Sequence, residues 1–157
     1  VAQMLLETTA DDDRDLAQQA CTAAASVSDA ADEDAAHAIG EAAARLGAAA
    51  GAATVVVTRG SKGGILWDAS APGSAWSCCG FVAPAITDTV GAGDSFLAAF
   101  LASWLAENDA SSALIAGCRL GAFVAGKQGA TPVHEAEIIN GLQPCQGVLA
   151  ELLELQL

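Results

Sequence analysis

The chain has 157 residues, 53% of them hydrophobic, with mean hydropathy +0.41 and a formal net charge of -13. That length holds one domain with a real core, and the apolar share excludes a disordered chain. The acidic excess argues against nucleic acid or an anionic membrane as partner, and the longest apolar stretch, Phe96 to Ala106, is too short to cross a bilayer.

Acid gathers early, at Asp11-Asp12-Asp13-Arg14-Asp15 and Asp32-Glu33-Asp34, and reads as helix starts and solvated faces. Residues 11 to 50 are expected to form two alanine-rich helices, with Asp11 to Asp13 and Asp32 as N-caps and Gly47 or Gly51 as the stop. Thr54-Val55-Val56-Val57-Thr58 is a β-branched run that suits a central strand of a parallel sheet. Gly60-Ser61-Lys62-Gly63-Gly64 is a tight turn, Ile65-Leu66-Trp67 opens the next strand, and Pro72-Gly73 turns again. Trp76 to Phe81 reads as a strand and Pro84 to Val90 as an extended lead. Helices follow near Gly93–Asn108, Ala110–Lys127, Glu135–Asn140 and Gln146–Leu155. Alternation of this kind predicts an α/β layered fold, with a mostly parallel sheet flanked by helices.

The chemistry concentrates in Asp88-Thr89-Val90-Gly91-Ala92-Gly93-Asp94-Ser95-Phe96. Two carboxylates bracket a Gly-Ala-Gly turn that opens an apolar helix, so several backbone N–H groups can converge on one anion beside the positive helix end. An acid there can take a proton while amides hold the developing negative charge, which points to phosphoryl transfer. A second reading of the same turn is a plain helix start capped by Asp94. Thr58-Arg59-Gly60-Ser61-Lys62-Gly63 offers a hydroxyl, flexible amides and a cation in one turn, as phosphate oxygens require, or is an ordinary hairpin turn. Gly117 to Pro132 is a helix with small residues on one face ending in a glycine turn, and close helix packing is its favoured reading. Arg59, Lys62, Arg119 and Lys127 place four of the six basic residues in this half.

The five cysteines, Cys21, Cys78, Cys79, Cys118 and Cys145, form no metal-ligand spacing and read as free thiols. His37 and His134 read as surface or cap residues. No basic-then-apolar leader opens the chain, so a cytoplasmic location is expected.

In this order, VVVTRGSKGG, DTVGAGDSF and GAFVAGKQGATP resemble the C-terminal half of the ribokinase-like, or PfkB, carbohydrate kinases, over residues 53–132. The ending looks more like fructokinase-type members than ribokinase. The resemblance implies an ATP-dependent sugar kinase of ribokinase-like, Rossmann-type layered fold. Asp94 would be the general base, and the amides of Gly91, Ala92, Gly93 and Asp94 the anion hole. Thr58, Gly60, Ser61, Lys62 and Gly63 would contact ATP, with Gly93 also on the nucleotide. Asp88, Val90 and Gly129 match positions around a potassium site, and Mg²⁺ would arrive bound to ATP. A small sugar is the implied partner, with a homodimer allowed for a full-length form.

Members of that family are longer chains. The expectation is therefore a single partial domain over residues 1–157, the nucleotide and catalytic half without the sugar-binding half and its lid. Met4-Leu5-Leu6-Glu7 is the nearest candidate for the family's Asn-x-x-Glu motif, and Cys118 stands where many members have Asn. Two alternatives remain: a non-catalytic nucleotide-binding module, and a nucleoside kinase of the same fold. Half of a parallel sheet would leave an open strand edge, so the isolated chain is expected to self-associate.

Overall fold

The computed structural model describes residues 32–83, 85–142 and 152–157. Chain order is α1 (Asp32–Ala50), β1 (Thr54–Thr58), a 3₁₀ turn at Gly60–Lys62, β2 (Gly64–Asp68), β3 (Ser74–Cys78), α2 (Ala92–Glu107), α3 (Ala110–Ala125), α4 (Ala136–Gly141) and β4 (Leu152–Gln156). The mixed α/β class expected from the alternation is what forms. The first alanine-rich helix, Met4–Glu7, Cys21 and Cys145 lie outside the described residues. The described residues gather into two compact units: residues 32–59, 65–77 and 153–157, and residues 60–64, 78–83, 85–142 and 152.

The first unit is built on the strand order β1-β2-β3-β4. The parallel pairing expected of β1 does not occur among these four strands. Ala69 N donates to Ala53 O at 2.8 Å, so the end of β2 lies beside the start of β1. Leu157 N donates to Gly73 O at 2.9 Å, which sets the end of β4 against the start of β3. The links 59–63 and 69–73 dictate the antiparallel direction, because a parallel crossover needs about a dozen residues or more. The expected strand at Trp76–Phe81 begins earlier, at Ser74, and Phe81 keeps only an isolated bridge.

One face of this sheet is covered by α1. Ala36, Ile39, Ala43 and Leu46 recur at helical spacing and bury against Val55, Ile65, Trp67, Ala75 and Leu155. The helix comes so close that a Cβ at Gly47 would run into the Trp67 ring. Gly47 is thus a packing residue inside α1, and Gly51, with φ +61, is where the helix stops.

The predicted C-terminal helix is corrected over its described part, where Leu152–Gln156 is a strand. Glu154 and Gln156 are exposed while Leu155 is 1% exposed, a strand's alternation. Burial of Leu155 in the α1 core outweighs the helix preference of Leu, Glu and Gln.

The second unit centres on the α2–α3 hairpin. Phe96 and Phe100 stack with ring centroids 6.3 Å apart, and Phe100 meets Trp104 at 5.7 Å, forming a ladder at four-residue steps along α2. A Cβ at Gly117 would stand 2.9 Å from the Phe96 ring, so the small face of α3 serves close helix packing. Asn108 ends α2 in the left-handed region and donates its N–H to Trp104 O at 2.8 Å. Asp109 then caps α3, accepting from Ser111 N at 3.0 Å, Ser111 Oγ at 2.7 Å and Ser112 Oγ at 2.6 Å. Cys78, Cys79 and Cys118 stand outside any disulfide, as expected. No helix among the described residues is long and apolar enough to cross a membrane.

Candidate active site

The first turn of α2 carries the predicted anion site. Its N-cap is Gly91, at φ 82, and no side chain caps it. Asp94 is therefore not the cap that the simpler reading required, but an exposed acid inside the first turn. Ala92 N donates to Thr89 O at 3.2 Å, and Ser95 N to Gly91 O at 2.9 Å. Between them, the amides of Gly93 and Asp94 have no backbone acceptor among the described residues. Two donors thus remain unused at a positive helix end with a carboxylate on the same turn, while the Ala92 amide, expected among them, is taken up by Thr89 O.

Gly91 is required twice over. Its φ is positive, and a Cβ there would stand 2.7 Å from Cα, Cβ and O of Ala130. Ala130 belongs to the glycine turn that follows α3, so the two segments touch directly. Asp88 joins them as well. Its Oδ1 accepts from Val90 N at 3.0 Å, an Asx turn within its own loop. Its Oδ2 accepts from Gly129 N at 3.3 Å. Asp88, Val90 and Gly129, linked in the sequence only through a resemblance, thus meet through one carboxylate.

The lead into the turn is fixed from the same side. Thr87 N donates to Ala125 O at 2.9 Å, Asp88 N to Ala125 O at 3.3 Å, and Thr87 Oγ1 to Gly126 O at 3.3 Å. The sequence held no local signal for Thr87 or Ala130, since both act through contacts about 40 residues away along the chain.

The tight turn expected at Gly60–Gly64 forms, linking β1 to the antiparallel β2. Gly63 N donates to Gly60 O at 3.2 Å, closing the 3₁₀ turn over Ser61 and Lys62. A Cβ at Gly63 would collide with the Cys78 carbonyl, and one at Gly80 with the Ser61 carbonyl. The turn is thereby held against Cys78–Gly80 by backbone contact. Ser61 is exposed and Lys62 half-buried, while Thr58 closes β1 and belongs to the first unit.

Two of the four cations in this half face protein groups. Arg119 lies over the Phe81 ring at 5.1 Å, and Lys127 pairs with Glu135 at 2.7 Å. Among the described residues no three His, Cys, Asp or Glu side chains gather to hold a metal. A groove of about 600 Å³ runs between α2, α3 and α4, lined by Ser103, Glu107, Arg119, Leu120, His134 and Asn140 among others. No residue from Asp88 to Ser95 lines it, so it is separate from the α2 turn.

The sequence profile of the pfkB family carbohydrate kinases matches residues 4–136, and the chain belongs to that family. It is 36% identical over 85 residues to the ATP-dependent ribose-1-phosphate kinase of Halopiger xanaduensis, covering 54% of this chain and 27% of that protein. It is 46% identical over 61 residues to the fructoselysine 6-kinase of Escherichia coli, covering 37% and 21% respectively. Among solved structures it is similar to a microbiome-derived acarbose kinase, at 32% identity and a TM-score of 0.54, covering 64% of this chain and 35% of that one. The chain therefore spans about a quarter of the length of the curated relatives it matches.

Proposed function

We propose that this chain carries the phosphoryl-transfer half of an ATP-dependent carbohydrate kinase, with Asp94 as the general base. The observation that bears most weight is the open first turn of α2, where the Gly93 and Asp94 amides stand unused beside the Asp94 carboxylate. Phosphoryl transfer needs positioning and charge stabilisation more than covalent help from the protein. The amides of Gly93 and Asp94 would receive the transferring group, with Gly91 and Ala92 shaping the turn, while Asp94 draws the proton from a sugar hydroxyl. Thr58, Gly60, Ser61, Lys62 and Gly63 would hold ATP.

The Asp88 carboxylate, held by the backbone of Val90 and Gly129, supplies the oxygen ligand that hard cations take. Asp88, Val90 and Gly129 would hold K⁺, whose charge would stiffen the turn. Mg²⁺ would come with the nucleotide, bound through its phosphates. The relatives are named for acting on ribose-1-phosphate, fructoselysine and acarbose, so the acceptor class is a sugar or sugar derivative. The ending GAFVAGKQGATP keeps fructose among the acceptors to test.

The expected outcome is acceptor-dependent ADP formation that Asp94→Asn lowers by about 10²–10⁴-fold with an unchanged circular dichroism spectrum. Turnover retained in that variant removes Asp94 from the role. A second reading is a nucleotide-binding module without turnover, since two of the four cations of this half, Arg119 and Lys127, face protein groups. ATP binding by calorimetry, with no ADP formed on a panel of sugars and nucleosides, would establish that reading instead.

A further inference from the structure

We infer that Lys127 and Glu135 are positioning residues that clamp the glycine turn onto the active-site loop. The segment between them contains Gly129, whose amide donates to Asp88 at 3.3 Å, and Ala130, against which Gly91 is packed without room for a Cβ. Its two ends are pinned independently of those contacts. On the α3 side, Gly126 N donates to Ala122 O and Phe123 O at 3.3 and 3.1 Å, and Lys127 N to Val124 O at 2.9 Å. Across the segment, Lys127 Nζ meets Glu135 Oε1 at 2.7 Å.

The same ammonium lies 5.0 Å from the centroid of the Phe123 ring, and Phe123 is 2% exposed. His134 places its ring edge-on to Phe123 at 6.4 Å. Lys127 therefore sits between a buried aromatic face and a carboxylate, which fixes it in direction as well as distance. The paired side chains are 36% and 46% exposed, so the pair adds little to folding stability and its consequence is where the turn rests.

Cutting the clamp should loosen the Gly129 amide from Asp88 and let Ala130 back away from Gly91. The anion hole then loses its backing while the groups that would hold ATP are untouched. The role in catalysis rests on the reading given above; the clamp itself does not.

Hydrogen exchange at the Gly129 amide and steady-state kinetics on the full chain test both parts. Lys127→Met and Glu135→Gln should each speed Gly129 exchange by roughly threefold to tenfold. Each should lower kcat about tenfold with the KM for ATP within about twofold. Lys127→Arg, which keeps both the ion pair and the aromatic contact, should restore both readouts. Arg45→Met, which breaks the exposed Glu41–Arg45 pair of α1 at 3.5 Å, should move neither. Unchanged Gly129 exchange in both clamp variants overturns the clamp. Faster exchange with unaltered kcat overturns its coupling to the reaction. A parent chain that transfers no phosphoryl group counts against the proposed function alone, and the exchange measurement still decides the clamp.

Discussion

Two helix starts in the same unit solve one physical problem in opposite ways. At α3, Asp109 accepts three hydrogen bonds from Ser111 and Ser112, so the helix satisfies its own first turn. At α2, Gly91 offers no side chain, the amides of Gly93 and Asp94 stay unused, and order comes from outside, through Asp88, Gly129 and Ala130. A self-capped start is stable and chemically closed. An externally braced start keeps its donors free for a ligand, at the cost of depending on distant residues.

Exchanging the two aspartates sharpens this contrast most. Asp94→Asn should remove about 10²–10⁴-fold of activity while changing stability by less than about 0.5 kcal/mol. Asp109→Ala should do the reverse, costing about 1 kcal/mol in denaturant unfolding with activity retained. Between them stands Gly91→Ala, which meets both a positive φ and the Ala130 backbone. It should cost about 1–3 kcal/mol, and the Gly129 amide should exchange faster. An unstrained, fully protected Gly91→Ala variant would mean that α2 is not braced from outside.

The smallest effect is one of pH. The Ser112 hydroxyl, followed by that of Ser111, holds the Asp109 carboxyl below its ordinary value of 3.8. A carboxylate whose folded-state pKa is depressed contributes stability above the unfolded value and loses it as pH falls through the folded one. Acid titration of the parent chain should thus show a loss of stability below about pH 4 that Asp109→Asn lacks. An identical acid limb in the two chains would remove Asp109 from that transition.

The site was more legible in the sequence than the sheet that shares its chain. Gly91, Ala92, Gly93 and Asp94 shape the start of α2 through their own backbone and spacing, so a local string of small residues beside an acid announces that turn. The helices near Gly93–Asn108 and Ala110–Lys127 were legible for the same reason, since apolar spacing and turn residues are local. Strand direction was not. Val55, Val56 and Val57 suit a central strand of either sense, and only the short links on either side decide it. Leu155 misled because Leu, Glu and Gln favour helices until a distant core offers burial. Thr87 and Ala130 left no trace, because each matters through a partner far along the chain.

The contact between Gly91 and Ala130 also makes a sizing gauge. Gly91 has no volume of its own for a side chain, so one added there could be placed only by moving Ala130. In a saturation library the two positions would therefore score as one. Enlarging Ala130 would register as damage to the start of α2, although that residue lies about 40 positions further along the chain.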